Sequence, residues 1–172
     1  MLNAAQLETL LKEAKSEDNE YVDIRNLCKR LRINISTKGE NLETTQLARF
    51  YAEENEDKYQ RRFITLSPSL SEPEQNTVIA ILIAKFCLVP DAIYSRGHEL
   101  NVFDFKSLRT TRFSRLMYLA TRIALPEEII EKIDDITLSN KKLKATEVFT
   151  SDFVSCAVKG HTIQFLLDNR IH

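Results

Sequence analysis

The stretch that most constrains the fold of this chain is residues 71–88, SEPEQNTVIAILIAKFCL. Ser71 and Glu74 have the spacing of a capping box, in which each residue satisfies a free backbone N–H at the start of a helix. Pro73 falls in the first turn, where its missing N–H removes no intrahelical hydrogen bond. In the apolar run that follows, only Lys85 is charged or strongly polar, and a helix that is apolar nearly all round is usually buried. These residues therefore predict a central core helix.

Length and composition place the chain among ordinary globular proteins. Its 172 residues are 43% hydrophobic and 28% charged, with a formal net charge of −1, which predicts one domain, residues 1–172, with its own core. A net charge so close to zero gives no overall preference for nucleic acid or an anionic membrane. The central apolar run, about 12 residues, is shorter than the roughly 20 that span a bilayer. Because the N-terminus is amphipathic and lacks the apolar core of a signal peptide, we expect a cytoplasmic protein without membrane contact.

The three cysteines predict reduced thiols. Cys28, Cys87 and Cys156 are far apart, odd in number and set in apolar helical contexts. The sequence contains no C-x-x-C pair, so neither a disulfide framework nor a structural zinc site is expected. Buried thiols of this kind are typical of a reducing compartment.

Periodicity and turn signals predict an α+β fold that is mostly helical, with a small antiparallel sheet of about three strands packed on a helical core. One strand is expected at residues 33–37, where apolar and polar residues alternate. Residues 47–54 and 60–67 are rich in aromatic or β-branched residues and are expected to form an antiparallel hairpin. Residues 91–106, which include Gly97, are expected to be an irregular connection.

The helices divide the domain into three parts. They are expected at residues 3–15, 22–31, 71–88, 107–125, 126–136, 143–149 and 152–167, the last of them capped by Ser151. The parts are an N-terminal helix at residues 1–20, a core at residues 22–138 and a C-terminal helical hairpin at residues 139–172.

Three segments follow one another in a characteristic order: ITLSPSLSEPEQNTVIAILIAKFCL, SRLMYLATRIALPEEI and LKATEVFTSDFVSCAVKG. Together they resemble the ImmA/IrrE family of metallopeptidases, which cleave or act on repressor proteins in phages, mobile elements and stress responses. The first is similar to the family's strand I-x-L-N-P-x-L-S and the helix after it, which carries the zinc-binding H-E-x-x-H. The second has ALPEE where the family has LMPEE, and the third is similar to the closing L-A-x-x-F-x-V-S-x-x-A-V pattern. The resemblance runs from about Val22 to Phe165 and implies a minimal zincin-like fold.

The residues that make the family enzymes are absent from this chain. In the register set by TVIAILIAK, the first zinc histidine falls on Ile81, the general-base glutamate on Leu82 and the second histidine on Lys85. Counting back from Pro126, the third ligand, a carboxylate in the family, falls on Arg115. A catalytic zinc needs three protein ligands and a bound water, and these side chains supply no ligand set. The resemblance therefore implies a pseudo-metallopeptidase, not an enzyme, with four vestigial positions, no metal and no cofactor.

The histidines of the chain do not restore a catalytic site. His98 begins an H-E-L sequence, but Val102 stands four residues later, so the helical histidine pair is missing and we expect a solvated loop side chain. His161 lies near an expected helix break and His172 ends the chain. The sequence leaves open whether the three histidines converge in space, and it offers no spacing typical of a Ser/His/Asp site or a phosphate-binding glycine loop.

Lys85 and Arg115 admit two interpretations. In the first, they occupy the old metal position, pair with acids such as Asp91 or Glu99 and hold the two long helices in place. In the second, which we favour, Lys85 lies near the helix end, packs its stem and extends its ammonium into water. In either case a buried ammonium without a partner would be too costly to keep charged.

Two functions follow. The favoured one is a non-catalytic regulator of phage or mobile-element origin, which binds a repressor or a host protein by stoichiometric contact. The alternative is a DNA-binding transcriptional regulator that uses a helix-turn-helix in the tail. The residues for DNA contact would be Lys141, Lys142, Lys144, Lys159, Ser151, Ser155 and Thr162. Because the second tail helix is mostly apolar and poor in base-reading residues, a helical hairpin that closes the core is favoured over a DNA contact. Oligomeric state is not indicated.

Overall fold

The computed structural model describes residues 4–17, 20–54, 60–95, 97–101, 115–125, 130 and 144–158. These residues have the α+β fold that the sequence predicts. In chain order the elements are α1 (Ala4–Glu13), α2 (Ile24–Arg30), β1 (Ile33–Ser36), β2 (Gln46–Glu54), β3 (Gln60–Leu66), α3 (Glu72–Leu88), a 3-10 helix (Pro90–Tyr94), β4 (His98–Asn101), α4 (Arg115–Ala124) and α5 (Ala145–Val148). Residues 151–158 form a further helix, α6. The helical predictions for residues 3, 107–114, 126–129, 131–136, 143 and 159–167 lie outside the described residues.

The sheet has four strands in the order β1-β3-β2-β4. β2 and β3 pair antiparallel, which confirms the predicted hairpin, and β4 pairs antiparallel with β2. β1 pairs parallel with β3, from Ile33 opposite Arg62 to Ser36 opposite Thr65. The sheet is therefore mixed and four-stranded, where an antiparallel sheet of about three strands was expected. The difference arises because β3 lies between β1 and β2, so the chain from β1 to β2 cannot be a tight hairpin.

The segment after α3 is more regular than the expected irregular connection at residues 91–106. It contains the 3-10 helix and β4. Gly97 precedes β4 with a φ of 78°, and a Cβ on it would lie 2.9 Å from the carbonyl oxygen of Phe50 in β2. A glycine is needed there because the backbone is left-handed and approaches β2 closely. β4 has only four residues, HELN, none of them β-branched, so its sequence carries little strand signal.

Helix α3 is the central element, as predicted. Its start is fixed by the Glu74 carboxylate, which accepts hydrogen bonds from the Ser71 backbone N–H over 2.9 Å and from the Ser71 hydroxyl over 2.7 Å. Every residue from position 76 to position 84 is buried. Each large aliphatic side chain in this run contributes about 1.5–3 kcal/mol through removal from water.

The later helices close the core over α3. α4 packs against α3 with a buried face at helical spacing, Met117, Ala120, Thr121, Ile123 and Ala124. α5 is shorter than the predicted 143–149, and Ser151 is the first residue of α6 instead of its cap. Phe149, Phe153 and Val154 are buried in the same hydrophobic cluster as α3, which agrees with a tail that closes the core. Within the described parts of the chain, no helix combines the length and the hydrophobicity that a membrane span requires.

Candidate functional site

Two of the four positions that the resemblance predicts to be vestigial, Ile81 and Leu82, lie closed inside the core. Ile81 is 1% exposed and Leu82 is completely buried. Both belong to a hydrophobic cluster to which the sheet, α3 and α4 contribute. Aliphatic side chains in a close-packed interior offer a metal no lone pairs and leave no space for a reacting water. The chemistry of these two positions is therefore packing.

Lys85, one helical turn after Ile81, is bound to the backbone of β4. Its Nζ donates a hydrogen bond to the carbonyl oxygen of Glu99 over 2.6 Å, and the residue is half-buried. The favoured prediction, in which Lys85 extends its ammonium into water, does not include this hydrogen bond to the Glu99 carbonyl. The alternative prediction pairs Lys85 with an acid such as Asp91 or Glu99. The acceptor of this hydrogen bond is the backbone carbonyl of Glu99, while the Glu99 carboxylate lies 3.9 Å from Nε of Arg49. Lys85 thus joins the end of α3 to β4.

Arg115 differs from Ile81 and Leu82 in its exposure to solvent. It is the first residue of α4 and is exposed, whereas Ile81 and Leu82 are buried. The four positions therefore do not surround one solvent-accessible space. Lys85 and Arg115 are also both cations, which repel a divalent metal ion.

His98 is buried, so the prediction of a solvated loop side chain is wrong. It is 9% exposed, lies in β4 and has its Nε2 atom 2.9 Å from the carbonyl oxygen of Val89. Because a carbonyl oxygen can only accept a hydrogen bond, Nε2 carries the ring hydrogen and is the donor. The exposure of β4 alternates, with His98 and Leu100 buried and Glu99 exposed, so strand periodicity turns the imidazole inward.

The described residues contain no group of three or more histidine, cysteine, aspartate or glutamate side chains placed to hold a metal ion. His161 and His172 lie outside the described residues, so the question of whether the three histidines converge stays open. The same holds for Lys141, Lys142, Lys159 and Thr162 of the tail.

Cys28 and Cys87 are not activated nucleophiles. No disulfide joins Cys28, Cys87 and Cys156. Burial raises the pKa of the Cys28 thiol from its ordinary 9.0 to about 12, against a smaller opposing effect of the Arg25 charge. Burial also raises the pKa of Cys87 to about 11. Since the thiolate is the nucleophile, these two side chains are inert at neutral pH.

The tail helix α6 uses its apolar face for packing. Phe153, Val154 and Ala157 are buried, while Ser151 and Ser155 are exposed. Lys144, before α5, is exposed as well. Within residues 151–158, the exposed side chains of α6 are therefore the small hydroxyls of these two serines. None of them is Arg, Asn or Gln, the residues that usually read base edges.

A cleft of about 610 Å³, which we call the α1 cleft, lies elsewhere on the molecule. Its walls come from α1, β3, the end of α3 and the 3-10 helix. It is lined by Gln6, Thr9, Leu10, Arg62, Phe86, Pro90, Asp91 and Tyr94. This volume is typical of ligand-binding clefts in proteins, which combine apolar walls with a few polar groups.

Arg62 is the fixed charge of the α1 cleft. Its Nη1 donates a hydrogen bond to the carbonyl oxygen of Leu31 over 3.2 Å. Its guanidinium carbon lies 5.4 Å from the centre of the Phe86 ring, in a cation–π contact. The Phe86 ring in turn packs against Phe50, with the ring centres 5.3 Å apart. The guanidinium is therefore held in place by the protein and retains further N–H donors on its planar fork.

The rim of the α1 cleft is exposed and partly apolar. Tyr94 is 43% exposed and lines the cleft, and Val89, directly before Pro90, is 54% exposed. These two are the large hydrophobic residues that the described part of the chain leaves exposed. Asp91 adds an exposed carboxylate to the same rim.

The α1 cleft is absent from the sequence predictions because three segments that are distant in sequence build it: α1, β3, and the end of α3 with the 3-10 helix after it. One local signal was present in β3. Arg62 has the strand spacing of Ile64 and Leu66, which are completely buried, so a charged side chain stands on the inward face of the strand. A charged side chain on the inward face needs either a hydrogen-bonding partner or a cleft that gives it access to water.

Comparisons of this chain with protein-family profiles, curated proteins and solved structures find no match. The likeness to the ImmA/IrrE family stays a prediction from the sequence.

Proposed function

We propose that this chain is a non-catalytic protein-binding regulator on a metallopeptidase-like scaffold, acting by stoichiometric contact with a repressor or host protein. The observation that carries the proposal is the closed state of α3 at the vestigial positions. Ile81 and Leu82 are 1% and 0% exposed, and the Lys85 amine binds a backbone carbonyl. A hydrolytic zinc site needs ligand atoms and an open coordination position, and these residues provide packing instead.

The α1 cleft supports a role in binding. Its lining includes the exposed hydrophobic residue Tyr94, and exposed apolar surface at a cleft is a common mark of an interaction site. The proposed location is the cytoplasm, where cysteines remain thiols, as they are in this structure. A phage or mobile-element origin rests on the sequence resemblance alone.

Metal analysis tests the non-catalytic part of the proposal. The chain is purified without chelator, loaded with excess zinc, dialysed and analysed by inductively coupled plasma mass spectrometry. We expect much less than one zinc per chain, because the vestigial positions supply no ligand atoms. A protein that keeps one zinc per chain after dialysis would overturn the proposal.

The fate of the partner tests the binding part. Tagged protein is used to capture a partner from host lysate, and the complex is reconstituted from purified components and analysed by native mass spectrometry. We expect a complex of defined stoichiometry in which the partner retains its full mass during incubation. Fragments of the partner that accumulate with time would show an enzyme and contradict the proposal.

The DNA-binding alternative has its own measurement. A mobility-shift assay at physiological salt compares the natural chain with a variant in which Lys141, Lys142 and Lys144 are changed to glutamine. Because the described exposed positions of α6 lack base-reading residues, we expect no shift. A shift lost in the variant would support the alternative, since phosphate contacts by lysine dominate such affinity.

A further inference from the structure

We propose that the α1 cleft receives a short segment of a partner protein, in which an acidic side chain is followed by a large apolar one. This inference deepens the proposed function and rests on it. The acidic side chain would bind Arg62, and the apolar side chain would pack on the wall formed by Phe86, Pro90 and Tyr94. A basic side chain on the same segment would complement Asp91 at the rim.

The charge of the cleft argues for an acidic group on the occupant. Arg62 is held by the Leu31 carbonyl on one side and by the Phe86 ring, so its position is set before anything binds. A guanidinium pairs with a carboxylate through two parallel hydrogen bonds, and a donor already fixed in place loses little freedom on pairing.

The extent of the apolar surface argues for a peptide segment. Phe86, Pro90 and Tyr94 form the apolar wall of the cleft, and Tyr94 is 43% exposed. A space of about 610 Å³ is larger than any single amino-acid side chain, so an occupant that fills it has to contribute more than one side chain. Apolar side chains in a pocket, surrounded by polar contacts at the rim, are the usual arrangement of peptide and protein interfaces.

The exposed carboxylate of Asp91 sets the orientation of the segment. The described contacts give Asp91 no partner inside the protein, and it lies on the same rim as Tyr94. Opposite charges at two points of one cleft select against segments of uniform charge. A segment bound by both residues would therefore be preferred in one direction.

The probe for this proposal is a phage-displayed library of short random peptides, selected on the full-length protein. We expect the enriched peptides to share an acidic residue followed by a large apolar residue. The affinity of one enriched synthetic peptide is then measured by fluorescence anisotropy. Arg62→Met, which keeps the apolar stem over Phe86, should weaken binding by about tenfold or more.

Arg61→Met is the matched control. Arg61 precedes Arg62 in β3 and is exposed, and neighbouring residues of a strand point to opposite faces, so this change should leave the affinity within about twofold, as for an ordinary surface substitution. Asp91→Lys, at an exposed position that carries little risk to folding, should change the selected peptides from basic to acidic at one position. Circular dichroism of each variant checks that the fold is retained.

Equal binding of the peptide to the natural chain, Arg62→Met and Asp91→Lys would overturn the proposal. So would a concentration-dependent dimer that Asp91→Lys abolishes, because a second copy of the chain would then occupy the cleft. If a lysate partner binds all variants equally, the cleft proposal fails and the proposed function stands. If the peptide binds as expected but the partner is cleaved, the proposed function fails and the cleft proposal stands.

Discussion

A substitution at Leu82 can test whether this position is packed in the core or open to solvent, as an active site would require. Leu82 is completely buried and falls where the resemblance places a general-base glutamate. Leu82→Glu would bury a carboxylate without a partner, so we expect a loss of more than about 4 kcal/mol in the free energy of unfolding. Leu82→Met keeps the volume and should cost less than about 1.5 kcal/mol. Urea unfolding followed by circular dichroism measures both. A Leu82→Glu variant as stable as Leu82→Met would show that position 82 is open to solvent.

Burial of the Cys28 thiol is expected to make the free energy of unfolding fall at alkaline pH. Burial raises the pKa of this thiol from 9.0 to about 12. In the unfolded chain the thiol loses its proton near pH 9.0, whereas the folded protein keeps the proton up to about pH 12. The unfolded state therefore binds fewer protons in this window, and the contribution of Cys28 is complete below pH 9.0 and lost as the pH rises toward 12.

The Cys28→Ala variant tests whether the free energy of unfolding falls with rising pH because of Cys28. The free energy of unfolding of the natural chain should fall above pH 9, and the variant should fall less steeply, by up to about 1.4 kcal/mol per pH unit. Urea unfolding in the presence of a reductant, at a series of alkaline pH values, gives both slopes. The half-buried Cys87, whose pKa is raised to about 11, is present in both proteins and cancels in the comparison. Parallel slopes would contradict the prediction.

At the scale of elements, the polar residues at the start of the apolar helix α3 hold the tail. Asn76 donates from Nδ2 to the carbonyl oxygen of Val148 over 3.0 Å, and the backbone N–H of Thr150 donates to the Thr77 hydroxyl oxygen over 3.1 Å. Both side chains are buried. They therefore satisfy the backbone at the turn between α5 and α6, where helical hydrogen bonds are missing.

Thr77→Val removes the acceptor of the Thr150 N–H and changes the side-chain volume little. Because the N–H of the half-buried Thr150 loses this partner and water can replace it only in part, we expect a loss of about 0.5–1.5 kcal/mol in the free energy of unfolding. Hydrogen exchange at residues 150–158 should become faster, since this turn docks α6 onto the core. Thr37→Val, at an exposed position after β1, is the control. Exchange in α6 as slow as in the control would contradict the role assigned to Thr77.

The elements that the sequence predicts well are those with a strong local pattern. The capping box and apolar run located α3, and β-branched and aromatic residues located the hairpin. β4 and the parallel pairing of β1 were missed because strands of four residues take their structure from their neighbours. The inward position of His98 was missed for the same reason, since it depends on β4.

At the scale of the whole molecule, the site was harder to predict than the fold. The motif resemblance predicts, residue by residue, four positions of a former zinc site, and the structure shows that these residues lie in α3 and α4. The α1 cleft needs α1, β3, α3 and the 3-10 helix to meet, and no local pattern encodes that meeting. Its surface residues are also less constrained by packing than those of the core, so their sequence is less informative.

The described segments meet in one hydrophobic cluster, so we expect them to unfold together. Phe149 of the tail is completely buried, with its ring centre 5.6 Å from that of Phe153 and 6.3 Å from that of Tyr21, near the N-terminus. The Val22 N–H, next to Tyr21, donates to the carbonyl oxygen of Ala124 at the end of α4 over 2.9 Å. These contacts connect the segment before α2 with both the tail and the end of α4.

Phe149→Ala should therefore weaken the whole molecule, and not the tail alone. We expect a loss of about 3–5 kcal/mol in the free energy of unfolding, as for other buried phenylalanines. Far-UV circular dichroism and tyrosine fluorescence should report one coincident transition, before and after the substitution. Tyr94→Ala, at the exposed rim of the α1 cleft, should change the free energy of unfolding by no more than about 0.5 kcal/mol. Two separate transitions, with only the first moved by Phe149→Ala, would show that the tail folds independently of the sheet and α3.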